Sequence, residues 1–229
     1  MNRMSRLVWW WRSAWGATLA AFGRQPRSRI TYRWSRPGPP PDLSRVPRPV
    51  WLPPDDELGV ATGIRTSLAA NEAAALGLLD CVAYSTGFEF TIAYRSRDEI
   101  PRELLGAGPP PSPERELSVR ISYPGRTGAS SSVRGQDEMT AHYEAAYEGK
   151  EPPLPSGPIV LPQRGGGGGR RIDYNFWCWP LPPNGAITLT VEWPAAKIAA
   201  ATVEIDGATI RRASLASKKL WGQGSDASS

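Results

Sequence analysis

Apolar and polar residues alternate along much of the chain, in short runs separated by proline and glycine. The clearest run, 187–193, alternates isoleucine, leucine, valine and tryptophan with threonine and glutamate. A period of two places successive side chains on opposite faces of a β-strand, so this pattern predicts a strand with one buried face. Similar runs predict further strands at 60–68, 78–84, 88–94, 117–123, 159–161, 172–178 and 203–205.

The segments between these strands are short and show almost no helical spacing. Parallel strands need crossover connections of about a dozen residues or more, so the strands are predicted to be antiparallel. The sequence therefore predicts a mainly β fold, a two-layer antiparallel β-sandwich of the immunoglobulin-like or jelly-roll-like kind. The turn residues at 182–185 predict a hairpin of the strands on either side. One C-terminal α-helix is predicted at 208–221, where alanine, leucine, arginine and lysine follow a glycine.

Charge divides the chain into two parts. Residues 1–50 hold ten arginines and one acid, a net charge of +9, whereas residues 51–229 hold 17 basic and 21 acidic residues, a net charge of −4. The basic pI of about 9.5 therefore belongs to the N-terminal fifth. Nucleic-acid binding requires a basic face on the folded domain itself, so no nucleic-acid partner is predicted. The length favours one domain at 51–221, followed by a disordered polar tail at 222–229.

The Arg/Trp/Pro-rich extension at 1–50 has several interpretations. Residues 7–22 have the tryptophan-rich, arginine-flanked pattern of an amphipathic helix in a membrane interface. Their 16 residues span about 24 Å as a helix, too short for a bilayer core of about 30 Å. A signal peptide is disfavoured because Arg12 interrupts the apolar stretch. The extension is otherwise predicted to be disordered, or to arise from a misplaced start, with translation beginning at Val46 or Val50.

Five consecutive glycines stand between arginines at 164–171 and lead into a predicted strand. A phosphate-binding P-loop requires glycines that lead into a helix and a following Lys-Ser/Thr pair, and neither is present. Two interpretations stay open, a flexible loop that tolerates anions and a mobile connector between strands. The same strand carries tryptophans at 177 and 179 on its polar parity, which either form a ligand platform or pack under a loop or helix. Trp193 shares the apolar parity of its strand and is predicted to lie in the core. The predicted binding residues are Arg164, Gly165, Gly167, Gly169, Arg170, Arg171, Trp177 and Trp179.

Residues for metal binding or catalysis are few. His142 is the only histidine, and the two cysteines, Cys81 and Cys178, have no CxxC spacing, so neither a metal site nor a cofactor is predicted. No G-x-S-x-G motif is present, and no catalytic residue is assigned. Without a convincing signal peptide, the cysteines are predicted to be buried thiols rather than a disulfide. The acidic run 55–57 is predicted to be solvated.

Several motifs between residues 51 and 221 look familiar: WLPPDDELGV, AYSTGFEFT, RGGGGGRR, FWCWPLPPNG and EWPAAKI. Together they resemble a family of uncharacterised bacterial proteins from high-GC genomes, with R-G-G-G-G and W-x-W-P-L-P-P motifs. The resemblance stops before the N-terminal fifth and implies one domain, but it implies no activity, ligand or catalytic residue.

These observations favour a cytoplasmic binding or interaction module whose partner is an unknown protein or small molecule. An enzyme is the less expected class. The alternatives are a hydrolase that uses His142 and nearby carboxylates, and a membrane-peripheral protein anchored by residues 7–22. Membrane contact is predicted only if residues 7–22 form a helix.

Overall fold

The structure is a computed structural model of the chain and describes residues 46–102, 104, 116–125, 129–130, 134–163 and 165–221. The predicted helix at 7–22, the tail at 222–229 and Arg164 lie outside the described residues. The described strands are β1 (Glu57–Leu58), β2 (Val60–Ala61), β3 (Thr66–Ala70), β4 (Ala74–Ala83), β5 (Phe88–Ser96), β6 (Ser118–Ser122), β7 (Ala129–Ser130), β8 (Ile159–Pro162), β9 (Gly166–Gly168), β10 (Arg171–Trp179), β11 (Ala186–Trp193), β12 (Ile198–Asp206) and β13 (Lys218–Lys219). The described helices are α1 (Arg134–Tyr147) and α2 (Gly207–Ser214).

The strands form three antiparallel sheets. A seven-stranded sheet has the order β2-β4-β5-β10-β8, with β3 beside β4 and β9 beside β10. A four-stranded sheet has the order β12-β11-β6-β7, and β1 pairs with β13 in a two-stranded sheet. Both larger sheets contribute buried side chains to one apolar core. The predicted mainly β, antiparallel sandwich with a C-terminal helix is therefore confirmed.

The described residues divide into two compact units. One consists of residues from 46–49 and 136–154, which include most of α1. The other consists of residues from 50–135 and 155–221 and contains all the strands. The candidate site described below lies within the second unit.

Alternating side chains build the core, as the sequence pattern predicts. In β5, Phe88, Phe90 and Ile92 are buried and belong to the core cluster. Phe90 stacks on Phe176 of the neighbouring strand β10, with ring centroids 5.3 Å apart. Trp193 of β11 is 2% exposed and makes edge-on contacts with two tyrosines of the other sheet, so its predicted core position is confirmed. Each aromatic pair of this kind stabilises a fold by about 0.5–1.5 kcal/mol, in addition to the free energy gained by burying its apolar surface.

The hairpin predicted from the turn at 182–185 is wrong. Strand β10 pairs with β5, β8 and β9, whereas β11 pairs with β6 and β12 in the other sheet. The apolar faces of both strands lie in one core, so the connection carries the chain from one layer to the other. It contains the cis bond Trp179-Pro180, and Gly185 has a φ of 107°.

The predicted strand at 60–68 and the predicted helix at 208–221 both have different bounds in the structure. Gly63, with a φ of 75°, separates β2 from β3. The helix α2 begins after Asp206, whose carboxylate caps the backbone N–H groups of Ala208 and Thr209, but it ends at Ser214. The chain then turns and pairs with β1, where Leu220 N–H donates to the carbonyl of Asp56 at 2.7 Å. In residues 218–220, pairing with β1 thus outweighs the local preference for a helix.

Candidate functional site

The glycines of the predicted loop form a strand. β9 pairs with β10 in the register Gly168 to Arg171, Gly167 to Ile172 and Gly166 to Asp173. Gly169, with a φ of 60°, and Arg170 form the two-residue turn between the strands. Glycine is favoured at the first position of such a turn because the backbone there has a positive φ. We call residues 165–171 the glycine–arginine hairpin.

Backbone hydrogen bonds hold the turn of this hairpin against the rest of the domain. The N–H of Ser96 donates to the carbonyl of Arg170 at 2.9 Å, and the N–H of Ile100 donates to the carbonyl of Gly169 at 2.8 Å. The prediction of a loop is therefore wrong for Gly166–Gly168, because these residues pair with β10 as a strand. A run of glycine has no side-chain periodicity, so the sequence pattern carried no strand signal here.

The glycines differ in how much space surrounds them. A Cβ atom at Gly167 would lie 2.5 Å from the carbonyl oxygen of Arg171 and 2.7 Å from the Cα of Ile172. A Cβ atom at Gly165 would lie 2.8 Å from the carbonyl oxygen of Asp173. At Gly166 and Gly168, by contrast, a Cβ atom would meet nothing within 4 Å. Packing therefore requires glycine at alternate positions only.

Among the described residues, the hairpin lies at an edge of the seven-stranded sheet. Strand β5 occupies one side of β10, and β8 and β9 occupy successive parts of the other side. In the part of the chain that the structure describes, β9 pairs only with β10. In a two-residue hairpin the residues flanking the turn exchange hydrogen bonds, so the backbone N–H and C=O of the next residue, Gly167, point away from β10.

Two arginines lie directly opposite each other beside this edge. Arg171 of β10 is the register partner of Arg95 of β5. Arg95 forms an ion pair with Asp173, with 2.6 Å between Nη1 and Oδ1. Arg170 and Arg171 are exposed, and neither has an ion-pair partner among the residues that the structure describes. Arg170 and Arg171 are thus exposed to solvent without an ion-pair partner in the described part of the chain.

The two predicted binding tryptophans lie at the other end of β10. Trp177 is six residues from Arg171, a separation of about 20 Å along a strand. It is fully buried, its Nε1–H donates to the carbonyl of Trp51 at 2.9 Å, and its ring meets Tyr84 edge-on at 5.6 Å. Trp179 is half-buried. The packing interpretation therefore describes Trp177, and the structure does not bring it together with the arginines.

His142 lies on α1 and is buried. Its Nε2 is 2.9 Å from the carbonyl oxygen of Pro47, and its ring meets Tyr143 edge-on at 5.4 Å. No group of three or more histidine, cysteine, aspartate or glutamate residues with the geometry of a metal site occurs in the described ranges. The contact that the structure gives for the His142 ring nitrogen is with a backbone carbonyl.

The two cysteines are buried free thiols, as predicted. Cys81 lies on β4 and Cys178 on β10, and β5 lies between these strands. Burial raises the pKa of both thiols to about 12. The Tyr123 hydroxyl is 3.3 Å from the sulfur of Cys178 and donates to the carbonyl of Pro180. Both thiols are therefore protonated and unreactive near neutral pH.

A polar cluster surrounds Glu57, in the acidic run 55–57 that the sequence pattern predicted to be solvated. Glu57 is buried, and its carboxylate accepts hydrogen bonds from the N–H of Ser85 at 2.9 Å and from its hydroxyl at 2.5 Å. Lys219 lies 3.1 Å from Glu57 and 2.9 Å from Asp56. We call Glu57, Ser85 and Lys219, with strands β1 and β13, the terminal clasp. No local signal identifies it, because its residues are far apart in the chain.

Burial alone would raise the pKa of Glu57, but the bonds from Ser85 and then Lys219 outweigh burial and lower the pKa below its ordinary value of 4.5. The carboxylate is therefore ionised at neutral pH and joins the first strand of the sandwich to the last.

Comparisons with family models, with curated proteins and with solved structures found no match to this chain. The resemblance to a bacterial family stays a prediction. Among the described residues, none of the helices has the length and apolar character needed to cross a bilayer.

Proposed function

We propose that this chain is a binding module that recognises an acidic group of a partner protein through the glycine–arginine hairpin. The observation that carries the proposal is the direct pairing of Arg171 with Arg95 in the two strands next to the exposed strand β9. Like charges directly opposite each other on a sheet are destabilising, by up to about 1 kcal/mol. A partner carboxylate or phosphate would offset that repulsion.

The chemistry of arginine fits this role. Its planar guanidinium binds carboxylate and phosphate with two parallel hydrogen bonds, and it remains charged at any physiological pH. Arg95 already has Asp173 as a partner, whereas Arg170 and Arg171 extend from a turn whose backbone is bonded to neighbouring segments. Such preorganisation lowers the entropy lost on binding. The hairpin therefore combines available charge with an ordered backbone.

A cytoplasmic location is part of the proposal, because two buried free thiols fit a reducing compartment. The hydrolase and membrane-peripheral alternatives stay predictions. The contact of His142 with a backbone carbonyl adds no support to the first, and residues 7–22 lie outside the described residues.

Site-specific photo-crosslinking in cells tests the proposal. A photoreactive amino acid replaces Arg170 in the full chain, and the control carries it at Ala200, an exposed position of β12. We expect a discrete crosslinked partner at position 170 and none at position 200. Arg171→Glu should lower the crosslinked yield about tenfold or more, because a charge-assisted hydrogen bond contributes about 1.5–3 kcal/mol.

Arg65→Glu is the matched charge reversal, since Arg65 is also exposed and has no ion-pair partner in the described part of the chain. It should leave the yield unchanged. Equal crosslinking at positions 170 and 200, or equal loss with both charge reversals, would show that the hairpin is not the binding surface. Thermal unfolding of each variant confirms that the fold is retained.

A further inference from the structure

The chain uses glycine in β9 where packing does not require it. Gly165 and Gly167 cannot accept a Cβ atom without moving the backbone of β10, but Gly166 and Gly168 have open space around that position. Neither of these two has a positive φ. Glycine in a strand is less stable than alanine by about 0.5–1 kcal/mol, so its presence at these two positions lowers stability without a packing reason.

Within the described ranges, the edge of β9 also has none of the usual protection against strand pairing. Natural sheet edges are blocked by lysine, proline, bulges or a covering segment, because their unpaired N–H and C=O groups bind other strands. Here Gly166–Gly168 are exposed, carry no side chain, and pair with no described strand besides β10. Glycine within a strand commonly marks a place where another backbone approaches closely.

We propose that the glycine–arginine hairpin binds an extended acidic peptide segment, which adds to the sheet as a further strand beside β9. This inference rests on the proposed function and names the chemistry of its partner. The peptide's backbone would exchange hydrogen bonds with the outward N–H and C=O of Gly167. Main-chain bonds of this kind supply affinity in strand addition, and alternate side chains supply specificity.

The register explains why an acidic residue is preferred. Gly168, Arg171 and Arg95 lie in one row across three strands, on the face of the sheet opposite the core. A peptide residue paired with Gly168 would continue this row, at about 9.6 Å from Arg171, which is two strand spacings. Because Gly168 has no side chain, the arginine can extend over it toward the added strand. An aspartate or glutamate at that peptide position is within the combined reach of the two side chains.

A phage-displayed library of 12-residue peptides, panned against the full chain, tests this inference. We expect enriched peptides to carry aspartate or glutamate, and their affinity to fall about tenfold on Arg171→Gln. Methylation of the peptide's backbone nitrogens should weaken binding about fivefold at alternate positions and leave the intervening positions unaffected. Bound peptide should slow hydrogen exchange of the Gly167 amide.

Gly168→Glu provides a variant that keeps the fold, because the side chain enters open space, and it should lower the affinity about tenfold or more, because its carboxylate binds Arg171 and repels the acidic peptide. Ala200→Glu, on the exposed part of β12, is the matched control and should bind as the parent chain does.

A library that yields no peptide above background contradicts the inference, and so does affinity that tolerates methylation at every position. If peptides bind with an affinity that tolerates methylation at every position but still depends on Arg171, strand addition is wrong and the proposed function survives. If the binding of the enriched peptides is insensitive to both Arg171→Gln and Gly168→Glu, the strand-addition inference and the proposed function both fail.

Discussion

Adding one methyl group at Gly167 is expected to destabilise the domain, whereas the same change at Gly168 is expected to stabilise it. The two residues are neighbours in β9, both are exposed, and both have ordinary strand backbone. Alanine keeps the backbone N–H and C=O of both residues, so the two substitutions differ chiefly in where the added Cβ atom would lie. Gly167→Ala and Gly168→Ala are therefore a matched pair that isolates the close approach of β9 to β10.

The magnitudes follow from the two environments. At Gly168 the added methyl meets nothing within 4 Å, so the main effect of the change is to reduce the conformational freedom of the unfolded chain. The free energy of unfolding should therefore rise by about 0.5–1 kcal/mol. At Gly167 the methyl would meet the carbonyl oxygen of Arg171 at 2.5 Å and two atoms of Ile172 at 2.7 and 2.9 Å. Two of these three atoms are backbone, which cannot rotate away. Overpacking of this kind costs about 1–3 kcal/mol.

Urea denaturation of both variants measures the free energy of unfolding, and hydrogen exchange of the Asp173 amide reports on the pairing of β9 with β10, because Asp173 is the register partner of Gly166 at a hydrogen-bonded position. We expect the variants to differ by about 1.5–4 kcal/mol, the sum of the two effects. Faster exchange at Asp173 in Gly167→Ala alone would locate the change in the β9–β10 pair. Equal stability of the two variants would refute the assignment of Gly166–Gly168 to a strand in this register.

Three further predictions concern buried groups of the domain. Glu57→Gln should cost about 1–3 kcal/mol, because it weakens a charge-assisted bond in the terminal clasp, whereas Glu204→Gln, an exposed change, should cost little. Because the pKa of Glu57 is lowered on folding, its contribution to stability is present above pH 4.5 and is lost as the pH falls through the lowered pKa. The free energy of unfolding, measured as a function of pH in the acid range, should therefore fall less steeply in Glu57→Gln than in the parent chain. Trp177→Phe should cost about 1–3 kcal/mol in denaturant unfolding, because it removes the Nε1–H donor to the carbonyl of Trp51 and reduces the buried side chain; an unchanged unfolding midpoint would contradict the packing role. Neither Cys81 nor Cys178 should react with a thiol reagent at pH 7 in the folded chain, and both should react in urea; rapid native labelling would show that they are accessible.

The alternation of residues predicted most strands because it is a local property. A residue's face in a strand depends only on its parity, so β5, β6 and β11 were placed from the sequence to within one or two residues. The same parity placed Trp193 in the core. Burial of the two cysteines was also predictable from their type and from the lack of any metal-ligand spacing.

The candidate site was predicted only in part. Its arginines and glycines were identified from composition, but their arrangement was not, because glycine carries no periodicity and Trp177 is separated from Arg171 by the length of β10. The pairing of Arg171 with Arg95 joins residues far apart in the sequence. The terminal clasp was missed for the same reason.

The sequence alone determined that this chain forms short strands with one apolar face, and which residues of each strand turn inward. The tertiary structure decided which strand lies beside which, and therefore that β10 and β11 belong to different layers, that the glycines pair with β10, and that the end of the chain leaves its helix to pair with β1. Side-chain parity is set by the geometry of each residue and its neighbours. Partner choice depends instead on closing one core around all the strands together, which no single segment specifies.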